Sequence, residues 1–314
     1  MGLFVKAQKN EGWLAISFAA EGVCGAVVKR VAGARPVVEW SAFYPGRAGE
    51  AGAALEKLKR EAHAADFPCT NLLAAADYQL LSVEAPNVPP AELKTALRWR
   101  LKDMLDFPVA EATIDTLDIP LEQNAAGRGQ SLFAAAARNS VIAAQQNLLL
   151  GSKLRLCAID IPDLAQRNIS ALLEPAGRGL AMLSFDADGG LLTVTFNAEL
   201  YLSRRIDVRL EQLLDADADK QRQHHDKITL ELQRSLDHFE RQFHFIAVAK
   251  LMLAPTGAAG LHAYLAGNLY MPVEEFDLEA VFDLGQAPTL REAAGQARHF
   301  LTLGAALRLE GGAP

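Results

Sequence analysis

What the 314-residue chain has little of narrows its class first. Only three cysteines occur, Cys24, Cys69 and Cys157, far apart and each in an apolar, strand-like setting. An odd number without paired spacing excludes a disulfide framework and predicts reduced core thiols in a cytoplasm. No window approaches 18 uninterrupted apolar residues, and the opening MGLFVKAQKN lacks the apolar run of a signal peptide. Any membrane association is therefore expected to come through a partner. Positive charge is also short, with 31 Lys and Arg against 38 Asp and Glu, a net charge of −7 and a pI near 5.6. That balance argues against a general nucleic-acid binder, which needs a basic face to displace phosphate counterions. G-x-S-x-G, H-E-x-x-H and a Gly-Lys phosphate loop are all missing, so ordinary hydrolase or kinase chemistry has no visible carrier.

What is present is core. Half of the residues are apolar and 22% are charged, the balance of a globular chain long enough for two lobes. From Trp13 to Pro45 the runs WLAISFA, GAVVKRV and RPVVEWSAFY read as three strands with glycine-containing turns. A helix over 48–64 carries Ala51, Ala54, Leu55, Leu58 and Ala62 at helical spacing, and CTNLLAAA follows as a buried strand. The order then changes. QLLSVEAP, a Pro-initiated helix at PPAELKTALRWRLKDML, the strands ATIDTLDIP and QSLFAAAA around an NAAGRGQ tip, and the helix NSVIAAQQNLLL compose a small α+β module. LRLCAIDIP is a further strand, leading into a helix at PDLAQRNISALL. From Gly179 the first pattern returns, with three strands, a long helix over about 224–248, the strand AKLMLAP and a helix over 257–269. Two halves of order βββ-α-β-α with a module inserted in the first predict two α/β lobes facing across a cleft.

That order is similar to the actin-like ATPase fold in its FtsA-type variant, a duplicated, ribonuclease H-like α/β architecture. LKTALRWRLKDMLDFPVAEATIDTLDI, SLFAAAARNSVIAAQQNLLLGSKLRLCAIDIPDLA, ITLELQRSLDHFERQF and HFLTLGAALR together resemble the PilM family of type IV pilus assembly proteins, and more narrowly its MshI-like members of mannose-sensitive haemagglutinin (MSHA) pili. The resemblance divides the chain into a first lobe over 1–77, an inserted module over 78–157, the return of the first lobe over 158–178, a second lobe over 179–300 and a closing segment over 301–314. It implies a cytoplasmic scaffold at the inner membrane, docking the amino-terminal tail of a bitopic PilN-like or MshJ-like protein and coupling the membrane platform to the assembly motor. The cytoplasmic part of the type II secretion protein GspL is also actin-like, but it continues into a transmembrane helix, whereas this chain ends at LEGGAP.

Active members of that fold use three loops for nucleotide, and the resemblance places each one here. An I-D-x-G loop organises Mg²⁺ near the phosphates; its counterpart is Ile16-Ser17-Phe18-Ala19, without carboxylate or glycine. The second acid falls at Ser184 in Ser184-Phe185-Asp186, again neutral. A shifted register would give Asp186 or Asp188 the acid's role, the reading under which the chain is an ATPase; a plain hairpin accounts for the same residues. The third, glycine-rich loop becomes Ala254-Pro255-Thr256, where proline removes a donor and side chains intrude. A hydroxyl does not replace a carboxylate's attraction for a divalent ion. The expectation is a non-enzyme without a cofactor, retaining at most weak ATP and magnesium binding.

Other residues divide between chemistry and structure. His224, His225 and His238 invite a metal reading, but nothing completes a ligand set, and EQLLDADADKQRQHHD reads as a loop before the long helix. Asp160 and Asp163 read as a strand end and a helix cap. On the module's helix, Leu93, Leu97, Leu101, Met104 and Leu105 make an apolar stripe with Trp99 beside it. Arg98, Trp99, Lys102 and Phe107 are the expected anchors for a partner's extended tail lying between module and first lobe.

Overall fold

A computed structural model of the chain describes residues 12–46, 50–121 and 130–308. Most of the NAAGRGQ tip, the opening MGLFVKAQKN and the final LEGGAP lie outside them. The chain begins with β1 (Gly12–Ala19), β2 (Gly22–Lys29) and β3 (Val37–Pro45), then α1 (Ala51–Glu61) and β4 (Cys69–Leu72). The module follows as β5 (Tyr78–Glu84), α2 (Pro90–Leu101), β6 (Ala112–Asp118) and β7 (Ser131–Arg138). Next come α3 (Asn139–Gly151), β8 (Leu156–Asp160) and α4 (Pro162–Leu173). The second half comprises β9 (Gly179–Phe185), β10 (Gly190–Phe196), β11 (Glu199–Ile206), α5 (Leu210–Leu213), α6 (Ala218–Gln242), β12 (Val248–Leu253), α7 (Leu261–Asn268), β13 (Val273–Glu275) and α8 (Ala293–Ala306).

Two five-stranded sheets share one topology. Their orders are β3-β2-β1-β4-β8 and β11-β10-β9-β12-β13, each an antiparallel meander extended by two parallel strands. At the end of β1 the turn is tight because Gly22, at φ +154°, lies where a Cβ would stand 2.2 Å from the Tyr44 carbonyl oxygen. The two last helices cross over. Helix α4, which follows the first sheet, packs on β9, β10 and β11, while α8, which follows the second, packs on β1, β2 and β4. They meet where Gly304 passes Ala165, so closely that a Cβ on Gly304 would sit 2.2 Å from the Ala165 carbonyl oxygen. Around this crossing a single apolar cluster joins Ala15 and Val28 of the first sheet to Leu180 and Met182 of the second.

The module is a three-stranded antiparallel sheet, β5-β7-β6. Its alternation feeds two faces. Leu132, Ala134 and Ala136 pack under Leu97 and Leu101 of α2; Phe133 joins the core of the second lobe. Helix α3 bridges module and first sheet: Val141 and Ile142 pack in a cluster with Ala137 of β7, while Leu149 is fully buried in the core of the first sheet with Leu14, Ile16 and Cys69.

The long helix also begins earlier than its apolar pattern suggested, within the stretch expected to be a loop. Asp217 accepts from the backbone N–H groups of Asp219 (3.0 Å) and Lys220 (3.3 Å), so an acidic, polar stretch forms the exposed first turns of α6. Cys24 and Cys69 are buried, and burial pushes both thiols up to about 12. Cys157, expected in the core, is instead exposed on β8, an edge strand whose register against β4 shifts at that point.

Candidate functional site

The loop counterparts converge on the two crossover helices. Ser17, on the face of β1 turned toward α8, shares a hydrogen bond with the Thr302 hydroxyl at 2.8 Å. Ser184, buried near the end of β9, donates to the Gln166 side-chain oxygen of α4 at 2.5 Å. The Gln166 amide nitrogen in turn donates to the carbonyls of Met182 (2.9 Å) and Leu191 (3.1 Å) and to the Thr193 hydroxyl (2.9 Å). Each serine is thus bonded to the helix covering its own sheet. Ala19 ends β1 in the exposed turn.

Asp186 sits beyond the strand. Its carboxylate accepts from the N–H groups of Asp188 (2.8 Å) and Gly189 (3.1 Å), closing the β9–β10 turn, and burial raises its pKa above the usual carboxylate range. Asp188 reaches across to the first lobe and accepts from the Ala75 N–H at 3.1 Å. In the third loop Pro255 and Thr256 are both buried, and the Thr256 hydroxyl accepts from Ala258 N–H at 3.1 Å. Ser17, Ser184, Asp186, Asp188 and Thr256 thus all have their side chains engaged in hydrogen bonds within the protein.

The acids read as a cap behave otherwise, and α4 has no side-chain cap. Asp160 is buried against Arg308 at 2.9 Å and accepts from the Ile161 N–H; burial raises its carboxyl while Arg308 opposes that rise. Asp163 accepts from the hydroxyls of Tyr78 and Ser203 and pairs with Arg205 at 3.8 Å. Arg205 also donates to the Tyr78 hydroxyl oxygen. Burial first, and the Asp163 charge second, hold that phenol well above its ordinary range. This cluster joins the module's β5, helix α4 and the second lobe's β11. Aspartates at a helix start fit a cap equally well in sequence, since the partners lie 40 and 85 residues away.

The expected anchors are not gathered. Arg98 is spent inside the module, donating to the carbonyls of Val109 (2.7 Å) and Ala112 (3.0 Å). Phe107 belongs to the module core, with the Arg138 guanidinium over its ring at 4.4 Å. Trp99, 75% exposed, and Lys102 stand on the outer surface. Met104, past the end of α2, is exposed rather than part of the stripe. His225 is buried against the Tyr264 ring, and His238 lies on the same helix about 20 Å further along its axis, too far to share an ion with it.

A feature the sequence did not signal is a groove of about 810 Å³ between α1, the β1–β2 turn, the end of β3 and helix α3. Phe18, Val23, Tyr44, Ala54 and Leu148 give it apolar walls, and Glu50, Lys57 and Gln145 supply polar groups. Tyr44 is fixed by its hydroxyl donating to Glu61 at 2.5 Å, with the Lys57 ammonium 5.1 Å from its ring centre.

No protein-family model matches the chain, and no curated protein matches it. Solved structures do. A PilM-PilN type IV pilus biogenesis complex superposes over 96% of this chain and 98% of that one, with a TM-score of 0.75 and 20% identity. The cytoplasmic domain of EpsL, an inner membrane component of the type II secretion system of Vibrio cholerae, aligns over 94% of each chain at 15% identity and a TM-score of 0.48. A Bacteroides thetaiotaomicron protein with an actin-like ATPase fold aligns over 93% of this chain and 100% of that one, at 9% identity and a TM-score of 0.49. The chain has the two-lobed actin-like fold that the sequence suggested, with a small α+β insertion in its first half.

Proposed function

We propose that the protein is a non-catalytic, PilM-like scaffold of a type IV pilus assembly machine, and within that group an MSHA-type member. It binds the amino-terminal cytoplasmic tail of a PilN-like, or MshJ-like, inner-membrane protein. The likeness over nearly the whole length of a PilM chain bound to PilN supports this, as do the motifs HFLTLGAALR and LKTALRWRLKDML. Among the described residues no helix is long and apolar enough to cross a membrane, in keeping with recruitment through a partner.

The observation that carries the reading is the apolar groove between the first lobe and α3, which offers an extended tail apolar walls and the polar side chains of Glu50, Lys57 and Gln145. An apolar channel with a few placed polar groups suits a short peptide, because burial supplies affinity while the polar groups fix register. The lobe junction supports the absence of catalysis. A magnesium-dependent site needs a carboxylate free to hold the ion's water shell, and both matching positions are serines bonded to Thr302 and Gln166. Titrating the purified protein with a synthetic peptide of the tail is the direct test, and saturable micromolar binding is expected. Adding millimolar Mg-ATP should leave the melting temperature unchanged, since a real site would stabilise the fold by RT ln(1 + [L]/Kd). A clear rise would favour the ATPase reading with Asp186 or Asp188 as the acid.

A further inference from the structure

The inserted module belongs to one lobe by connection and to the other by packing. Its chain enters from β4 at Tyr78 and leaves after Arg138 into α3, which leads back to β8, so both connections lie in the first lobe. Its sheet has two opposite faces. Val83, Leu132, Ala134 and Ala136 lie under α2 in the module's own core. Phe133 and Ile119 instead join the apolar core of the second lobe with Leu202 and Ile206 of β11, and Leu80 and Leu117 pack against it. The register accounts for the division: Leu117 stands opposite Phe133, Leu80 opposite Ala135 and Tyr78 opposite Ala137, so all of them share the face turned away from α2. At one end of that face Tyr78 joins Asp163 of α4 and Arg205 of β11 in the buried polar cluster, near the place where α4 crosses α8 at Ala165 and Gly304. Phe133 stands about 13 Å further along β7.

We propose that the module is a strap: it holds the second lobe against the first, and the lobes part only when the module's sheet lifts off β11. The helix crossing alone is a pivot, and lobes that meet at a pivot are free to swing. An apolar seat set away from the crossing removes that freedom. The two ends of the strap divide the work. The Tyr78 hydroxyl, bonded to Asp163 and Arg205, fixes its direction where it leaves the first lobe, while Phe133, Leu117 and Ile119 supply the holding energy. Lifting uncovers that apolar face and its counterpart on the second lobe, whereas the module's own core under α2 stays closed. This control over lobe separation does not depend on the scaffold reading or on what the groove takes.

Double electron–electron resonance on the full chain tests the strap. Exposed Cys157 is replaced by serine, buried Cys24 and Cys69 are kept, and nitroxide labels are attached at Arg60→Cys on α1 and Arg234→Cys on α6, both exposed positions. The labelled parent should give one narrow distance distribution. Phe133→Ala should add a second population at longer distance, and Leu117→Ala a smaller one. Leu97→Ala, a truncation on the α2 side of the same sheet, should lower the melting temperature and leave the distances as they are in the parent. A seat with a merely structural role would make Phe133→Ala behave like Leu97→Ala, with a lower melting temperature and unchanged distances, and that result would overturn the proposal. So would a longer-distance population already present in the parent, or an equal shift in Leu97→Ala. If Phe133→Ala does not fold, Leu117→Ala decides, because Leu117 is half-buried on the edge strand β6.

Discussion

The two lobes have the same strand order, yet they hold their equivalent serines in different ways. In the first lobe Ser17, itself half-buried, shares a single hydrogen bond with the buried Thr302 hydroxyl. In the second, Ser184 is the outermost member of a buried array in which Gln166 alone makes four hydrogen bonds to β9 and β10. The second lobe has turned the position into structure. The first lobe has the looser junction, and it is also the lobe with the groove and the insertion. The denser hydrogen-bond array and the groove are thus divided between halves that share one topology.

Substitutions at the crossing and in each half test that division. The largest effect is expected where both halves meet. Gly304→Ala would push a methyl group against the Ala165 carbonyl and separate α4 from α8, at a cost of about 3 kcal/mol in urea denaturation. Next, Gln166→Leu would orphan the Ser184 and Thr193 hydroxyls and two carbonyls, for a loss of about 2–3 kcal/mol. The matching change in the first lobe, Thr302→Val, should cost about 1 kcal/mol or less, and equal losses on the two sides would erase the distinction drawn between them. Tyr78→Phe removes one donor to Asp163 while Ser203 and Arg205 remain, so about 1 kcal/mol is expected, with hydrogen exchange accelerating first in the module.

The smallest effect separates the structural reading of Asp186 from a catalytic one. Asn keeps an oxygen that accepts from Asp188 and Gly189, so Asp186→Asn should fold with the same turn. Because burial raises the native carboxyl, folding favours its protonated form. Its contribution is fully present below the unfolded-chain value near 3.8 and is lost as pH rises through the higher folded value. At pH 7 the Asn variant should therefore equal or slightly exceed the parent in urea midpoint, and the difference should fade on acidification toward pH 4. A variant markedly less stable at pH 7 would contradict that sign.

Much of the fold was legible because strands and helices here follow local periodicity. The apolar strand run WLAISFA, the Pro-opened helices and the recurrence of three strands after Gly179 all appear in the structure. The candidate site was legible only in part. Ser17 and Ser184 could be named by resemblance, but their partners Thr302 and Gln166 lie 285 and 18 residues away and no local pattern marks them. The anchors placed on α2 illustrate the reverse. Arg98 and Trp99 look like a binding pair in one dimension, whereas the turn at Val109 to Ala112 claims the guanidinium and leaves the indole outside.

The sequence by itself determined most of the elements and their order, since these depend on neighbours within a few residues. Only the tertiary structure decided that Asp163 joins three parts of the molecule instead of capping a helix, and that a groove opens beside α3. The physical reason is one of distance along the chain: a hydrogen bond or cavity wall made by residues far apart in sequence exists only after packing has brought them together, and composition sets no constraint on which of them meet.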